Sequence, residues 1–317
     1  MRGMRRGERM SRFFSQARKM QPGTDNPIAG VSITDAEKLL EGAQDRIRKS
    51  IATEPRSTDA NFSSLGDIGG DHIAASLQDF RLDKSELLKV AHLPVARMFE
   101  HDDELTQGVV EAYRGLRTRI ARIQATQGLT TLVVSSAVKG EGKSYTSLNL
   151  ALCCAQLRNA NVLLVDADLR TAGVSRMVSA HEKTGLCELL EGKATYADAI
   201  RRTDLPNLFV LPAGASDTPP PELFAGSAWK EFISWTNETF RLVIIDATPI
   251  LPLADYDLIA APCDAVIAIV RPHVTPRELV ERAVPRLDKK KFLGVVCNGT
   301  EVHNDHRYYY RYYAPSR

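Results

Sequence analysis

The sequence predicts a doubly wound α/β domain with a mostly parallel sheet over residues 106–300. Short β-branched, apolar runs alternate there with stretches long enough to form a helix. The runs are apolar on both faces, as expected of parallel strands that helices cover on both sides. The six predicted strands are TTLVVSS, NVLLVDA, LFVLPAG, LVIIDA, AVIAIV and FLGVVCNG.

Composition limits the class of protein. The chain has 317 residues, of which 44% are hydrophobic and 25% charged, typical of a globular protein with a sizeable core. Its net charge is only +2, so we expect no nucleic-acid partner. The five cysteines lie in apolar segments without a C-x-x-C pair, which predicts reduced thiols in the cytoplasm. No apolar run approaches the roughly 20 residues that cross a bilayer.

Two further segments flank the predicted domain. Residues 1–105 are expected to be weakly folded, with a basic amino terminus, one amphipathic helix and a polar linker. The basic amino terminus is either a solvated tail or a contact with anionic lipid. Residues 301–317 are expected to form a disordered tail. Its last residues contain five closely spaced tyrosines: Tyr308, Tyr309, Tyr310, Tyr312 and Tyr313.

A phosphate-binding loop follows the first predicted strand. Gly140, Gly142, Lys143 and Ser144 open the next helix. Backbone N–H groups of such a loop face phosphates, the lysine adds a positive charge, and the serine hydroxyl can bind Mg²⁺. Ala137 stands where the G-x-x-x-x-G-K-[ST] pattern has its first glycine.

Three acids are expected near that loop. Asp166 and Asp168 follow one predicted strand, and Asp246 ends another. Ligands of open α/β sheets bind at the carboxyl ends of the strands. Carboxylates there can hold a magnesium nucleotide or accept a proton from an incoming hydroxyl.

These motifs resemble those of the bacterial tyrosine autokinases (BY-kinases) of capsule and exopolysaccharide synthesis, which are relatives of the MinD/ParA P-loop ATPases. GEGKS (140–144) is similar to their Walker A loop, LLVDADLR (163–170) to their second acidic motif, and VIIDATP (243–249) to their Walker B strand. The resemblance covers about residues 107–300 and the tail. It implies a P-loop fold with ATP and Mg²⁺ as cofactors.

The resemblance also implies roles for single residues. Catalytic roles fall to Lys143, Asp166 and Asp168, with Asp166 orienting or deprotonating the tyrosine, and the metal ligands are Ser144, Asp168 and Asp246. The implied nucleotide contacts are Gly140, Glu141, Gly142, Lys143, Ser144, Tyr145, Arg170 and Asn298. The stretch EAYRGLR matches the family's E-x-x-R-x-x-R motif, and implies that Glu111, Arg114 and Arg117 join subunits into a ring. Two departures, Lys139 and Ala247, stand where relatives usually have proline and threonine.

The resemblance implies that the tyrosine cluster accepts the phosphoryl group and so regulates polymerisation and export of a polysaccharide. Implied partners are a transmembrane chain-length determinant that activates the kinase, further copies of the chain, and a tyrosine phosphatase. The protein would then lie at the inner face of the plasma membrane through its partner. Two alternatives remain open: a MinD/ParA-like positioning ATPase and a nucleotide-dependent scaffold without catalysis. The tail favours the kinase, because neither alternative needs clustered tyrosines.

Overall fold

A mostly parallel sheet organises the computed structural model, which describes residues 87–88, 104–157 and 160–300. Within those residues eight strands pair in the order β1-β4-β5-β3-β6-β2-β7-β8. All neighbours are parallel except β4 and β5, which are antiparallel. The strands are β1 Leu87–Leu88, β2 Thr131–Ser136, β3 Val162–Asp166, β4 Arg201–Thr203, β5 Leu208–Leu211, β6 Leu242–Asp246, β7 Ala265–Val270 and β8 Phe292–Cys297.

Helices connect the strands along the chain. Their bounds are α1 Glu104–Gln127, α2 Lys143–Ala155, α3 Gly173–Met177, α4 Leu186–Leu190, α5 Tyr196–Ala199, α6 Pro220–Ala225, α7 Ser227–Thr239, α8 Asp255–Ala260 and α9 Arg277–Ala283. A 3₁₀ turn, Val284–Arg286, follows α9. Among the described residues no helix is long and apolar enough to cross a membrane.

Both faces of the sheet are buried, as the sequence predicts. Alternate residues of β6 face opposite sides, so Val243 and Ile245 pack in one core cluster and Leu242 and Ile244 in the other. Every residue of β6 is buried. A strand covered on both sides has no polar face, and this explains its continuous apolar run.

The predicted fold class and all six predicted strands are confirmed. The sheet also contains two strands that the sequence analysis did not predict. Strand β4 has the polar sequence RRT and pairs antiparallel with β5. Strand β1 lies upstream of the predicted domain start at residue 106 and pairs with β4. The domain boundaries 1–105, 106–300 and 301–317 stay predictions.

The strand order brings the predicted site together. Strands β3, β6 and β2 are neighbours in the middle of the sheet, and Asp166 is paired in register with Asp246. Strand β8 is parallel to β7, which is parallel to β2. The last strand therefore ends at the same edge as the phosphate loop, as predicted.

Candidate active site

The phosphate loop runs from the end of β2 into the first turn of α2. Gly140 and Gly142 have φ of +91° and +90°, a conformation that residues with a Cβ rarely adopt. Gly142 is the residue before α2, which is 13 residues long. The amino terminus of such a helix presents free N–H groups and a partial positive charge to an anion.

Asn298, at the end of β8, packs against this loop. Its Nδ2 donates to the backbone oxygen of Glu141 over 2.8 Å. A Cβ on Gly142 would lie 2.0 Å from the same Nδ2, so a larger residue there would displace the Asn298 side chain. The structure thus places Asn298 against the loop backbone, and its predicted contact with the nucleotide stays a prediction.

Lys143 is buried and faces the carboxylates. Its Nζ donates to Asp168 Oδ2 over 2.6 Å and lies 3.8 Å from Asp246 Oδ2. Burial alone would lower the pKa of Lys143, but the attraction of Asp246 and Asp168 outweighs burial and raises it. Lys143 is therefore a positive charge at neutral pH, held at the start of α2 beside Asp168 and Asp246.

Asp246 and Asp166 are fully buried at neighbouring strand ends. Asp246 Oδ1 accepts a hydrogen bond from Ser147 Oγ over 3.1 Å, and Asp166 Oδ2 accepts two from the backbone and hydroxyl of Ser175, both 2.7 Å. Burial raises the pKa of both carboxyls. The nearby Asp246 raises the pKa of Asp166 further, whereas the positive charge of Lys143 partly offsets the rise for Asp246. Asp166 thus resembles a base tuned toward neutral pH.

Some oxygens at this site are buried without a hydrogen-bond donor. They are Asp246 Oδ2 and Asp166 Oδ1, which accept no hydrogen bond from the described residues. Unsatisfied buried carboxylate oxygens are costly and suit a cation ligand. The Ser144 hydroxyl is close by, because a Cβ on Gly173 would lie 2.5 Å from Ser144 Oγ and 3.9 Å from Asp246 Oδ2. Hard oxygen atoms with this burial fit Mg²⁺.

The described residues hold no group of three or more His, Cys, Asp or Glu side chains arranged to bind a metal by themselves. Asp168 is engaged with Lys143 and also accepts the backbone N–H of Thr171 at Oδ1 over 3.2 Å. A magnesium ion there would therefore take part of its coordination from phosphate oxygens and water, as is usual for this ion.

Other predicted nucleotide contacts have partners within the chain. Arg170 forms a two-atom ion pair with Asp255, at 2.7 and 3.3 Å, while its side chain stays 42% exposed. The Glu141 carboxylate accepts a hydrogen bond from Thr275, in the loop between β7 and α9. It does not point at the acid cluster, by which we mean Asp166, Asp168 and Asp246. Tyr145 is exposed beside the phosphate loop. Nucleotide contact by these three side chains stays a prediction.

The predicted subunit-contact motif lies on α1. Glu111 and Arg114 are exposed and pair with each other at 2.5 Å. Arg117 differs, because its Nη1 donates to the backbone oxygen of Cys153 in α2 over 2.8 Å. Two of the three residues are thus available to another molecule, and the third attaches α1 to α2. The tyrosine cluster at 308–313 lies outside the described residues.

Comparison with known proteins places this geometry in a family. The family model described as "AAA domain" matches residues 130–282. The tyrosine-protein kinase YwqD of Bacillus subtilis is 32% identical over 203 residues, which cover 63% of this chain and 85% of that protein. The chain belongs to the bacterial tyrosine-protein kinase family. The tyrosine-protein kinase CpsD of Streptococcus pneumoniae is 30% identical, with coverage of 70% of this chain and 98% of the relative.

Two solved structures share the fold of this chain. The kinase domain of the Escherichia coli tyrosine kinase ETK superposes with a TM-score of 0.61 and 24% identity, covering 70% of this chain and 85% of that domain. The chimerical protein CapA2B2 has a TM-score of 0.60 and 26% identity, with coverage of 68% and 94%. The predicted family and enzyme class are confirmed, and the P-loop fold supports nucleotide binding.

Several residues of this kinase site were not predicted. Ser147 and Ser175 hold Asp246 and Asp166, Gly173 leaves room for the Ser144 hydroxyl, and Asp255 pairs with Arg170. Ser147 lies four residues after Lys143, on the same face of α2, and this spacing is a usable signal. Ser175 and Asp255 reach the site only through tertiary structure, and no local pattern indicates them.

Proposed function

We propose that this kinase is an autokinase that transfers the γ-phosphoryl group of ATP to tyrosines 308–313 of its own sequence, yielding ADP and O-phosphotyrosine. The observation that carries the proposal is the convergence of Lys143 and three carboxylates at the sheet edge where β8 ends. The tail with its five tyrosines follows that strand directly. Tyr308 lies eight residue steps beyond residue 300, a reach of up to about 26 Å.

The proposed chemistry divides among the residues as follows. The loop N–H groups of Gly140 and Gly142 and the charge of Lys143 hold the phosphates. The tyrosine oxygen attacks the γ-phosphorus, the bond to the bridging oxygen of ADP breaks, and the phenolic proton passes to Asp166. Ser144, Asp168 and Asp246 would hold Mg²⁺, which neutralises charge on the phosphate oxygens when bound.

Asp166 is proposed as the base because of its environment. A general base works best when its pKa lies near the working pH, and burial raises the pKa of Asp166 in that direction. Its Oδ1 is also free of hydrogen-bond donors among the described residues. Asp168, in contrast, is paired with Lys143 at 2.6 Å, and its oxygen would become available to the metal when a phosphate takes over that lysine.

Phosphorylation would also release the product. Each phosphotyrosine adds about −1.5 to −2 charge, so a tail that carries Arg307 and Arg311 becomes acidic. An acidic tail is repelled by a site lined with carboxylates. We propose that this repulsion frees the tail and weakens self-association through α1, and that the change regulates synthesis and export of a capsule or exopolysaccharide.

The proposal is tested with purified full-length protein, MgATP and intact-mass spectrometry. Wild type should gain phosphate on 308–313, and Lys143→Met should gain none, because the phosphates lose their cation. Lys230→Met, an exposed lysine of α7, is the matched control and should behave like wild type. Equal phosphate on wild type and Lys143→Met would overturn the autokinase assignment. ATP hydrolysis without phosphotyrosine would instead favour the positioning ATPase.

We propose further that a transmembrane chain-length determinant recruits and activates the kinase at the inner face of the plasma membrane. A tyrosine phosphatase would reverse the modification. Cell fractionation should find the protein with the membrane when that determinant is present and released when it is deleted. Retention without the determinant, lost on truncation of residues 1–20, would show that lipid recruits the protein.

A further inference from the structure

Glu141 lies inside the phosphate loop, yet its carboxylate faces away from the acid cluster. The residue is 2% exposed. Its Oε2 accepts the backbone N–H of Val138 over 2.8 Å, and its Oε1 accepts the Thr275 hydroxyl over 2.6 Å and the backbone N–H of Arg271 over 3.4 Å. One side chain therefore joins the phosphate loop to residues 271–276, the loop between β7 and α9.

The backbone of the same residue makes a second connection. The oxygen of Glu141 accepts Asn298 Nδ2 over 2.8 Å, and the backbone N–H of Asn298 donates to Val270 over 2.8 Å. Glu141 thus contacts the ends of both β7 and β8. The chain leaves β8 at this point toward the tyrosine tail.

Electrostatics gives no reason for an acid at this position. A negative charge in a loop that binds phosphates opposes the ligand, and a buried carboxylate loses hydration that its hydrogen bonds must replace. The groups that donate hydrogen bonds to the Glu141 carboxylate, two backbone N–H groups and one hydroxyl, are all uncharged. The acid is therefore best explained by the connection it makes between loops.

We propose that Glu141 is a positioning residue that couples the phosphate loop to the β7–α9 loop through Thr275. The inference rests on the proposed nucleotide site. When Glu141 holds both loops, the N–H groups of the phosphate loop are preorganised for the nucleotide. Binding of the nucleotide then orders residues 271–276 as well.

Thr275→Val tests the coupling, because it keeps the shape of the side chain and removes the donor to Glu141. With full-length protein and MgADP, we expect calorimetry to show affinity weaker by about threefold to tenfold, the size expected for one lost hydrogen bond. Hydrogen exchange should show that MgADP protects residues 271–276 in wild type and no longer does so in Thr275→Val. Thr275→Ser keeps the hydroxyl and should restore both readouts.

Thr239→Val is the matched control. The Thr239 hydroxyl bonds to the Trp235 carbonyl at the end of α7, over 3.0 Å, so the same chemical change occurs outside the loops. It should leave MgADP affinity and exchange at residues 271–276 as in wild type. The coupling is refuted if Thr275→Val binds MgADP as tightly as this control and MgADP still protects its residues 271–276 from exchange.

Glu141→Gln separates positioning from simple charge. Removal of a negative charge near the phosphates would by itself strengthen MgADP binding, whereas loss of the connection weakens it. We expect weaker binding, with Thr275→Val adding little in the Glu141→Gln background. Equal or tighter binding by Glu141→Gln overturns the inference. If wild type fails to bind MgADP, the proposed nucleotide function fails instead, so the two failures are distinguishable.

Discussion

Asp166→Asn should stabilise the nucleotide-free protein at alkaline pH while it impairs phosphoryl transfer. Asp166 is fully buried, and burial together with Asp246 raises its pKa from 3.8 to about 7. The two hydrogen bonds from Ser175 reach one oxygen, Oδ2, which an asparagine oxygen can replace. The amide would then occupy the position of Oδ1 without a charge.

The direction of the pH effect follows from proton linkage. Between about pH 4 and pH 7 the folded protein keeps the Asp166 proton and the unfolded chain does not. Stability therefore falls as pH rises through that window, and the full penalty acts above it. At about 1.4 kcal/mol for each tenfold change in proton affinity, the penalty is on the order of a few kcal/mol.

Urea denaturation of wild type and Asp166→Asn at pH 5 and pH 8 measures this difference. The advantage of the variant should be larger at pH 8, and transfer to tyrosine should fall roughly 10²-fold to 10⁴-fold, as is usual for a lost general base. Asp198→Asn is an opposite control, because hydrogen bonds from Thr195 lower the pKa of Asp198 and the variant loses that stabilisation. An advantage of Asp166→Asn that is equal at both pH values would refute the buried-charge argument.

Two more predictions concern close contacts at the site. Gly173→Ala should weaken MgADP binding measured by calorimetry, because the new Cβ would lie 2.5 Å from Ser144 Oγ. Gly115→Ala is the control: a Cβ there meets open space in α1, so this variant should raise the free energy of unfolding by roughly 0.5–1 kcal/mol. Unchanged binding by the first variant would contradict the placement of Ser144. Arg170→Ala should lower unfolding free energy by roughly 1–2 kcal/mol, less than for a fully buried pair, since the Arg170 side chain is 42% exposed. Asp255→Asn in that background should recover part of the loss, and a further loss would show that the ion pair is not the cause.

The sheet could be predicted because strands that are buried on both faces consist mainly of apolar residues, which the sequence shows directly. Each of β2, β3, β5, β6 and β7 is an apolar run rich in Val, Ile and Leu, and such runs between helical stretches indicate a parallel sheet. Strand β4 carries no such mark, because RRT is polar and its extended form depends on pairing with β5. A two-residue strand such as β1 has no periodicity to detect.

The centre of the site was predictable for a different reason. Asp246 is the last residue of β6, Asp168 lies two residues after β3, and Lys143 begins the helix that follows the loop after β2. Strand order therefore brings them to one edge of the sheet. The orientation of Glu141 was not predictable, because sequence spacing places it in the phosphate loop and only Thr275, 134 residues later, reveals the direction of its carboxylate. Sequence patterns locate a residue on an element, whereas long-range contacts decide where its side chain points.

The charges of the site constrain how a nucleotide can bind. One buried lysine faces Asp168 at 2.6 Å and Asp246 at 3.8 Å, so the carboxylates outnumber the cation even when Asp166 keeps its proton. A phosphate that approaches competes with both acids for Lys143 and adds negative charge of its own. A second cation that binds oxygen can balance the excess, because Asp246 Oδ2 is buried and accepts no hydrogen bond from the described residues. Nucleotide and divalent metal should therefore bind together, and the nucleotide alone should bind weakly.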